Sequence, residues 1–339
     1  MAMTTAWQSV RRDPRAAKSE VMVLARLAFR WAWTRRGTDM TAAMARTSCL
    51  VVAPHPDDET LGCAVAVMRK RAVGTPVTVV IVSDGSKAEP VTLPPEELVE
   101  VRAAETRRAC AALGVGETDV LFLGFPDSEL GDHVEAIAER LAEITRARGP
   151  AQILVPASCE GHPDHDATHE AARRAVARTG FHGQVLEFTV WLWTHWPWTR
   201  GHGTRDRSVT RLLVEPTRRL RDTRPLLVDA RGLRHRQRGA LAEHATQVGT
   251  GDPAGAAGLS PVGAPGRSGR EAPTPVTSPL LATLQSRYEV YVEAGALRHL
   301  DFPRPWRTGA SGAPAASTGV GGTRPAERFT DGTRVGDGT

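Results

Sequence analysis

Residues 49 to 59 read C-L-V-V-A-P-H-P-D-D-E. The first five are apolar and stop at Pro54, which is typical of a short strand buried on both faces. A histidine, two aspartates and a glutamate follow almost directly. Carboxylates are common where a helix begins, because they accept unpaired backbone N–H groups and offset the helix dipole. That structural explanation covers the acids but leaves His55 unexplained.

A second segment of similar composition lies much later in the chain, where residues 160 to 165 read E-G-H-P-D-H. Between and after the two segments, short apolar runs alternate with amphipathic stretches. This alternation predicts βαβ units and a single open α/β sheet of mostly parallel strands. The predicted strands are residues 49–53, 77–83, 119–123, 153–156 and 185–193, with 212–214 and 226–228 as further candidates. The predicted helices are residues 61–71, 95–113, 133–148, 166–178, 231–247 and 285–298.

The chain divides by composition into a central domain and less regular additions. With 339 residues and 41% hydrophobic content, it can bury one sizeable core. The predicted parts are an N-terminal extension with an amphipathic helix (1–47), an α/β domain (48–248), a flexible Gly/Pro-rich insertion (249–279), a C-terminal helix packing on the domain (280–302) and a disordered tail (303–339).

Charge and cysteine content limit the cellular setting. The 43 basic residues exceed the 38 acidic ones only slightly, and no nucleic-acid-binding module is recognisable. The four cysteines show no C-x-x-C spacing, so free buried thiols in a reducing, cytoplasmic compartment are expected. No secretory pattern is seen at the N-terminus. Its helix is expected to pack on the domain, and contact with a membrane surface is the less favoured alternative.

Polar clusters follow four of the predicted strands. They comprise residues 55–59, 84–85, 126–127 and 162–165. Because ligands bind at the carboxyl edge of open α/β sheets, we expect these clusters to meet in one site. This argument joins segments that are distant in the sequence.

The residue types in these clusters suit a divalent metal. His55, Asp58, His162 and His165 offer the nitrogen and oxygen donors that hold Zn²⁺, and Fe²⁺ is an alternative for the same donors. Such an ion supplies a water nucleophile at neutral pH, and a free carboxylate, Asp57 or Glu59, would take its proton. The pattern indicates metal-assisted hydrolysis of an amide or ester. The competing interpretation is two acidic helix starts with incidental histidines.

Taken together, A-P-H-P-D-D-E at 53–59 and G-H-P-D-H at 161–165 resemble the PIG-L/LmbE family of zinc-dependent N-deacetylases. The resemblance covers about residues 48 to 250 and implies a Rossmann-like sheet with helices on both faces. It also implies a role for each residue of the two motifs. His55, Asp58 and His165 would bind the metal, Asp57 would be the general base, His162 would stabilise the oxyanion, and Asp164 would orient His162.

Other positions match the family less specifically. Arg102 and Asp127 resemble residues that contact sugar hydroxyls, although Arg102 and Glu105 at this spacing could equally form an ion pair within a helix. His244 lies in an H-A-T-Q segment similar to a late family segment, and its role stays open. The aromatic run W-L-W-T-H-W-P-W at 191–198 could stack on a sugar or simply pack the core.

The sequence therefore predicts a zinc hydrolase that removes an N-acetyl or N-acyl group from a small GlcNAc-containing conjugate. Two alternatives stay open. One is metal-dependent hydrolysis of another amide or a phosphate ester, and the other is a non-catalytic carbohydrate-binding protein. The sequence leaves the aglycone and the oligomeric state undetermined.

Overall fold

The computed structural model describes residues 14–87, 93–158, 160, 162–193, 209–248 and 286–294. The predicted insertion at 249–279 and the predicted tail at 303–339 lie outside these stretches, as do Cys159, Trp196 and Trp198.

One mostly parallel sheet forms the centre of the described structure. Its strands are β1 (Thr38–Asp39), β2 (Cys49–Ala53), β3 (Val77–Ser83), β4 (Val120–Phe125), β5 (Gln152–Pro156), β6 (Gln184–Phe188), β7 (Leu226–Asp229) and β8 (Tyr288–Glu293). Their order is β1-β7-β8-β6-β5-β2-β3-β4. Only β8 runs antiparallel to its neighbours, β6 and β7. The structure thus confirms the predicted Rossmann-like α/β sheet.

Helices connect most of these strands. They are α1 (Pro14–Thr34), α2 (Thr41–Arg46), α3 (Asp58–Ala72), α4 (Pro95–Leu113), α5 (Val134–Arg148), α6 (Pro163–Thr179), α7 (Val209–Asp222), α8 (Arg234–Ala242) and α9 (Ala245–Val248). As the sequence indicates, α4, α5 and α6 each end at a glycine in the left-handed conformation, which lacks the Cβ that would clash there.

Strand β2 shows why both faces of the sheet are covered. Successive side chains of a strand point to opposite faces. Cys49, Val51 and Ala53 accordingly join a core cluster with α3, α4 and α8. Leu50 and Val52 join a second cluster with α5 and α6. The uninterrupted apolar run of β2 is therefore the signature of a strand buried between two helical layers.

Two predicted elements are wrong, and two others are right only in part. Residues 212–214 belong to helix α7 instead of a strand, and residues 185–193 contain β6 followed by a short 3₁₀ helix, Trp191–Trp193. The predicted C-terminal helix at 285–298 (in the segment 280–302) is the strand β8 over its described part. Its sequence Y-E-V-Y-V-E is rich in β-branched and aromatic residues, and pairing between β6 and β7 decides the outcome. The predicted helix 231–247 is interrupted between α8 and α9.

Strand β8 is also tied to helix α3 by a buried carboxylate. The two oxygens of Glu289 accept hydrogen bonds from the backbone N–H groups of Val65 and Ala66, each at 2.9 Å. The hydroxyl of Tyr291 donates to the same carboxylate at 2.7 Å. The late strand therefore supports the helix that begins at the first histidine–aspartate motif.

Helix α1 packs one face against the domain. Phe29 and Trp33 are buried in a cluster that includes Leu192, and the Trp33 indole N–H donates to Thr223 Oγ1 at 3.0 Å. On the opposite face, Leu24, Leu27 and Trp31 are exposed. Among the described helices, none has both the length and the apolar character that crossing a bilayer requires.

The described cysteines are free and buried. Cys49, Cys63 and Cys110 form no disulfide. Burial raises the pKa of Cys49 to about 11, because a thiolate is poorly solvated in the core. These three side chains therefore act as small apolar core residues.

Two helical glycines give a matched test of packing. A methyl group at Gly62 would collide with the buried ring of Phe188, whereas Gly239 on the exposed side of α8 has open space. Gly62→Ala should lower the free energy of unfolding by about 1–3 kcal/mol, because the core is overpacked. Gly239→Ala should raise it by roughly 0.5–1 kcal/mol, because alanine favours a helix. Urea unfolding of both variants measures the difference, and a stable Gly62→Ala protein would contradict the packing.

Candidate active site

The two motifs and two further loops meet at one edge of the sheet. The motif His55 to Asp58 follows β2, and His162 to His165 follows β5, its parallel neighbour. Asp84 follows β3 and Asp127 follows β4. The carboxyl ends of these four adjacent parallel strands therefore carry the polar clusters, as the sheet topology requires.

A single carboxylate oxygen joins the two motifs. Asp58 Oδ2 lies 3.2 Å from His55 Nδ1 and 3.3 Å from His165 Nε2. The same oxygen accepts the backbone N–H of His55 at 3.1 Å. Asp58 and His165 are almost fully buried. The structure thus brings together the three residues that the resemblance implies as metal ligands.

The outer nitrogen of each of these histidines faces a second carboxylate. His55 Nε2 lies 3.0 Å from Asp164 Oδ2 and 3.5 Å from Asp127 Oδ1. His165 Nδ1 lies 3.1 Å from Glu160 Oε2. Metal-binding histidines usually donate their second N–H to such a group, which fixes the tautomer and the ring orientation. This arrangement fits a resident divalent ion.

His162 contributes a third imidazole. One ring nitrogen each of His55, His162 and His165 lie within 4.8 Å of one another. His162 is the N-cap of α6, and its Nδ1 accepts the backbone N–H of Asp164 at 3.3 Å. His55, Asp127 and Asp164 form an overlapping group that meets the same distance limit. Nitrogen and carboxylate donors of this kind suit Zn²⁺, and Fe²⁺ as well.

The electrostatics of the site favour positive charge on two of the histidines. Burial alone lowers the pKa of His55 and His165, because it disfavours the charged ring. The surrounding carboxylates outweigh burial, so the pKa of His165 is raised to about 9 and that of His55 well above its ordinary value. Burial, and then the charges of His55 and His165, hold the pKa of His162 well below its ordinary value. The carboxylate-rich pocket is thus suited to a cation.

Asp57 sits between the motif residues in an unusual backbone conformation, with φ 130°. Burial, and then the negative charge of Asp58, raises the pKa of Asp57 to about 7. Its carboxylate has no hydrogen-bond partner in the part of the chain that the structure describes. Such a group is available to exchange protons near neutral pH.

The structure corrects the expected contact of Asp164. Its carboxylate does not bond to His162 within the described residues. It contacts His55 and accepts the backbone N–H groups of Ser128 and Leu130, at 2.8 and 3.3 Å. Asp164 therefore contacts His162 through its backbone N–H, while its carboxylate contacts His55 and the loop after β4.

The two predicted sugar contacts lie within networks of the protein itself. Arg102 is buried, and its guanidinium donates to the carbonyls of Gly85 and Pro56 at 2.9 and 2.7 Å. Asp127 is buried and accepts the backbone N–H of Lys87 at 3.2 Å. Their contact with a sugar stays a prediction.

Two further groups lie at the site: Glu160, which had no predicted role, and Trp191, which the sequence placed in an aromatic run that could stack on a sugar or pack the core. Glu160 is fully buried, supports His165 and also accepts the backbone N–H groups of Val190 and Leu192, at 2.7 and 3.1 Å. Trp191 Nε1 lies 3.2 Å from His165 Nε2, and the Trp191 ring stacks on His162, with ring centroids 6.3 Å apart. Glu160 directly precedes the second motif, and that position was its only sequence signal.

The fold and the site define an α/β protein with a buried histidine–carboxylate centre at the carboxyl edge of its sheet. The family model described as GlcNAc-PI de-N-acetylase, PIG-L, matches residues 50–176. A 1D-myo-inositol 2-acetamido-2-deoxy-alpha-D-glucopyranoside deacetylase of Thermobifida fusca is 30% identical over 243 residues, which cover 59% of this chain and 82% of that protein. The chain belongs to the PIG-L family.

Two other relatives match over a shorter region. A 1D-myo-inositol 2-acetamido-2-deoxy-alpha-D-glucopyranoside deacetylase 2 of Catenulispora acidiphila is 34% identical over 165 residues, 41% of this chain and 54% of that protein. A probable N-acetyl-alpha-D-glucosaminyl L-malate deacetylase 2 of Bacillus cereus is 33% identical over 135 residues, 38% of this chain and 60% of that protein. The chain thus spans between half and two thirds of the length of these two relatives.

The electrostatics predict how metal affinity depends on pH. Protonated imidazoles cannot bind a metal, so an ion must displace the protons on His55 and His165. Zn²⁺ affinity should therefore rise as the pH approaches about 9, the pKa of His165, and fall on acidification. Competition with a chromogenic chelator across this range measures the affinity.

Asp58→Asn provides the matched control for that titration. It removes the carboxylate that raises both histidine pKa values, so binding should weaken and the pH-dependent rise should move to lower pH. A Zn²⁺ affinity that does not change with pH in the unaltered protein would contradict the assigned ligands.

Proposed function

We propose that the protein is a metal-dependent hydrolase that removes the acetyl group from the nitrogen of a GlcNAc-containing conjugate. One observation carries the proposal. The Asp58 oxygen lies between His55 and His165, directly beside Asp57, whose carboxylate is unpaired among the described residues. The names of the relatives, deacetylases of 2-acetamido sugars, support the same chemistry.

His55, Asp58 and His165 would hold the ion, Zn²⁺ or Fe²⁺. When bound, such an ion supplies a water nucleophile at neutral pH and polarises the acyl carbonyl. Glu160 and Asp164 keep the two imidazoles in the required orientation through the contacts described above.

Asp57 serves as the general base. Because its pKa is raised to about 7, it can take a proton from the attacking water and return it to the departing amine. Glu59, the other candidate from the sequence, is fully buried and has both carboxylate oxygens occupied by hydrogen bonds. Asp57 is therefore the better base.

His162 donates a hydrogen bond to the developing oxyanion. Its Nδ1 accepts the backbone N–H of Asp164, so the proton of the neutral ring resides on Nε2. Its lowered pKa keeps the ring neutral, which leaves Nε2 as a donor through the reaction.

The substrate is a small amino-sugar conjugate. Arg102 and Asp127 remain the predicted sugar contacts, and Trp191 lies where its ring could pack on the substrate next to His162. A cytoplasmic location stays a prediction from the sequence.

Removing the base should separate catalysis from metal binding. Asp57→Asn should lose roughly 10²–10⁴-fold in kcat while it keeps its metal, because only the proton transfer is affected. His165→Ala should lose both activity and metal. Release of primary amine from a panel of N-acetylglucosaminides measures turnover, and elemental analysis measures bound metal.

Asp132→Asn is the matched control, since Asp132 is exposed in the short 3₁₀ helix before α5. It should behave like the unaltered protein. Near-normal turnover by Asp57→Asn would show that the base is assigned incorrectly.

A further inference from the structure

The backbone at Asp57 is strained. A φ of 130° is rare for a residue with a side chain, and such conformations cost on the order of 1–3 kcal/mol. They persist only where the surroundings impose them. The groups that hold Asp57 in this conformation also set the direction of its carboxylate.

Hydrogen bonds hold the peptide group between Pro56 and Asp57 at both ends. Its N–H, from Asp57, donates to Glu59 Oε2 at 3.0 Å. Its carbonyl, from Pro56, accepts from Arg102 Nη2 at 2.7 Å. Rotation of this peptide towards an ordinary conformation would break both bonds. Glu59 and Arg102 therefore oppose the relaxation of Asp57.

Glu59 is itself fixed by a buried histidine. Its second oxygen, Oε1, lies 2.6 Å from Thr60 Oγ1 and 3.0 Å from His244 Nε2. Glu59 and His244 are both fully buried. The Nδ1 atom of His244 has no hydrogen-bond partner among the described residues. Its link to the site therefore runs through Nε2 and Glu59.

Helix α4 supports both sides of this arrangement. Arg102 reaches the Pro56 and Gly85 carbonyls, and a Cβ at Gly85 would lie only 2.7 Å from its Nη1. One turn further along, Glu105 caps α9 by accepting the N–H and hydroxyl of Thr246, at 2.9 and 2.7 Å. This cap fixes the segment that carries His244. The carboxylate of Glu105 is thus used for the cap instead of the ion pair with Arg102 that its spacing allows.

We propose that Glu59, backed by His244, and Arg102 are positioning residues that hold the strained Asp57 peptide and so aim its carboxylate at the reacting water. The inference rests on the proposed function, in which Asp57 is the base. The proposal gives a role to the Arg-x-x-Glu spacing at residues 102–105 and to the H-A-T-Q segment at residues 244–247. Neither segment touches the reacting atoms, and both act through Asp57.

Two variants separate this role from a merely structural one. Glu59→Gln keeps an oxygen to accept the Asp57 N–H, and its amide can face His244, whose Nδ1 is free to carry the ring proton. Glu59→Leu/His244→Leu removes that acceptor and also removes both members of the buried pair together. Such paired replacement by apolar residues of similar volume usually preserves folding, whereas removal of one partner leaves a buried charge.

The double variant should lose about 10- to 100-fold in kcat, because misplacing a catalytic group by about 1 Å has effects of this size. Its KM and metal content should stay unchanged, and its crystal structure should show residue 57 relaxed to a negative φ. Glu59→Gln should keep a kcat close to that of the unaltered protein and a positive φ at residue 57.

Several results would overturn the proposal. The double variant would contradict it by showing a normal kcat, by keeping a positive φ at residue 57, or by losing activity only because it loses its metal. A Glu59→Gln variant as impaired as the double variant would also contradict it. If the unaltered protein released no amine from any N-acetylglucosaminide, the proposed function would fail. The value of φ in the double variant would still decide whether the pair holds the peptide.

Discussion

Burial of the Asp58 carboxylate is the constraint on which the site depends. A carboxylate removed from water needs compensating positive charge or hydrogen-bond donors. Here the compensation comes from one ring nitrogen of His55 before α3 and one of His165 on α6. His55 and His165 follow different strands. Because both rings contact the same Asp58 oxygen, the two loops that carry them, remote in sequence, are fixed against each other. The positive charge that neutralises Asp58 comes from the protons on His55 and His165. A metal ion bound by these three residues would replace that charge.

Charge around this centre is arranged in layers. Asp127, Asp164 and Glu160 face the outer sides of the two imidazoles, and Glu160 and Asp164 also accept backbone N–H groups of neighbouring loops. Each carboxylate therefore does two things at once, since it orients a ring and fixes a loop. The orientation of each of these two imidazoles is thus fixed by outer carboxylates, as a precise site requires.

Much of this could be predicted from the sequence because one topological rule places residues that follow adjacent parallel strands side by side. That rule, applied to H-P-D-D at 55–58 and H-P-D-H at 162–165, was enough to bring the inner groups together.

The rule does not say which carboxylate oxygen contacts which imidazole nitrogen. The contact of Asp164 with His55 depends on side-chain directions at the start of α6. The partners of Glu59, Arg102 and Glu105 depend on how α4 and α9 pack, and no local pattern records that packing. The local sequence of β8 does not determine its state for a related reason, since β8 pairs with β6 and β7, which are distant in the chain.

The position of β8 in the sheet has a consequence for how the molecule assembles. It is the last described strand in the chain, yet it lies between β6 and β7, so β1 and β7 join the remaining strands only through it. The sheet therefore cannot close until residues 288–293 have been synthesised. Contacts between residues so far apart in sequence are slow to form. Without β8, the pair β1-β7 has no hydrogen-bonded connection to the five strands β6-β5-β2-β3-β4, and helix α3 lacks the Glu289 carboxylate. The support that β8 gives to helix α3, which begins at the first motif, is therefore among the last contacts of the described chain to form.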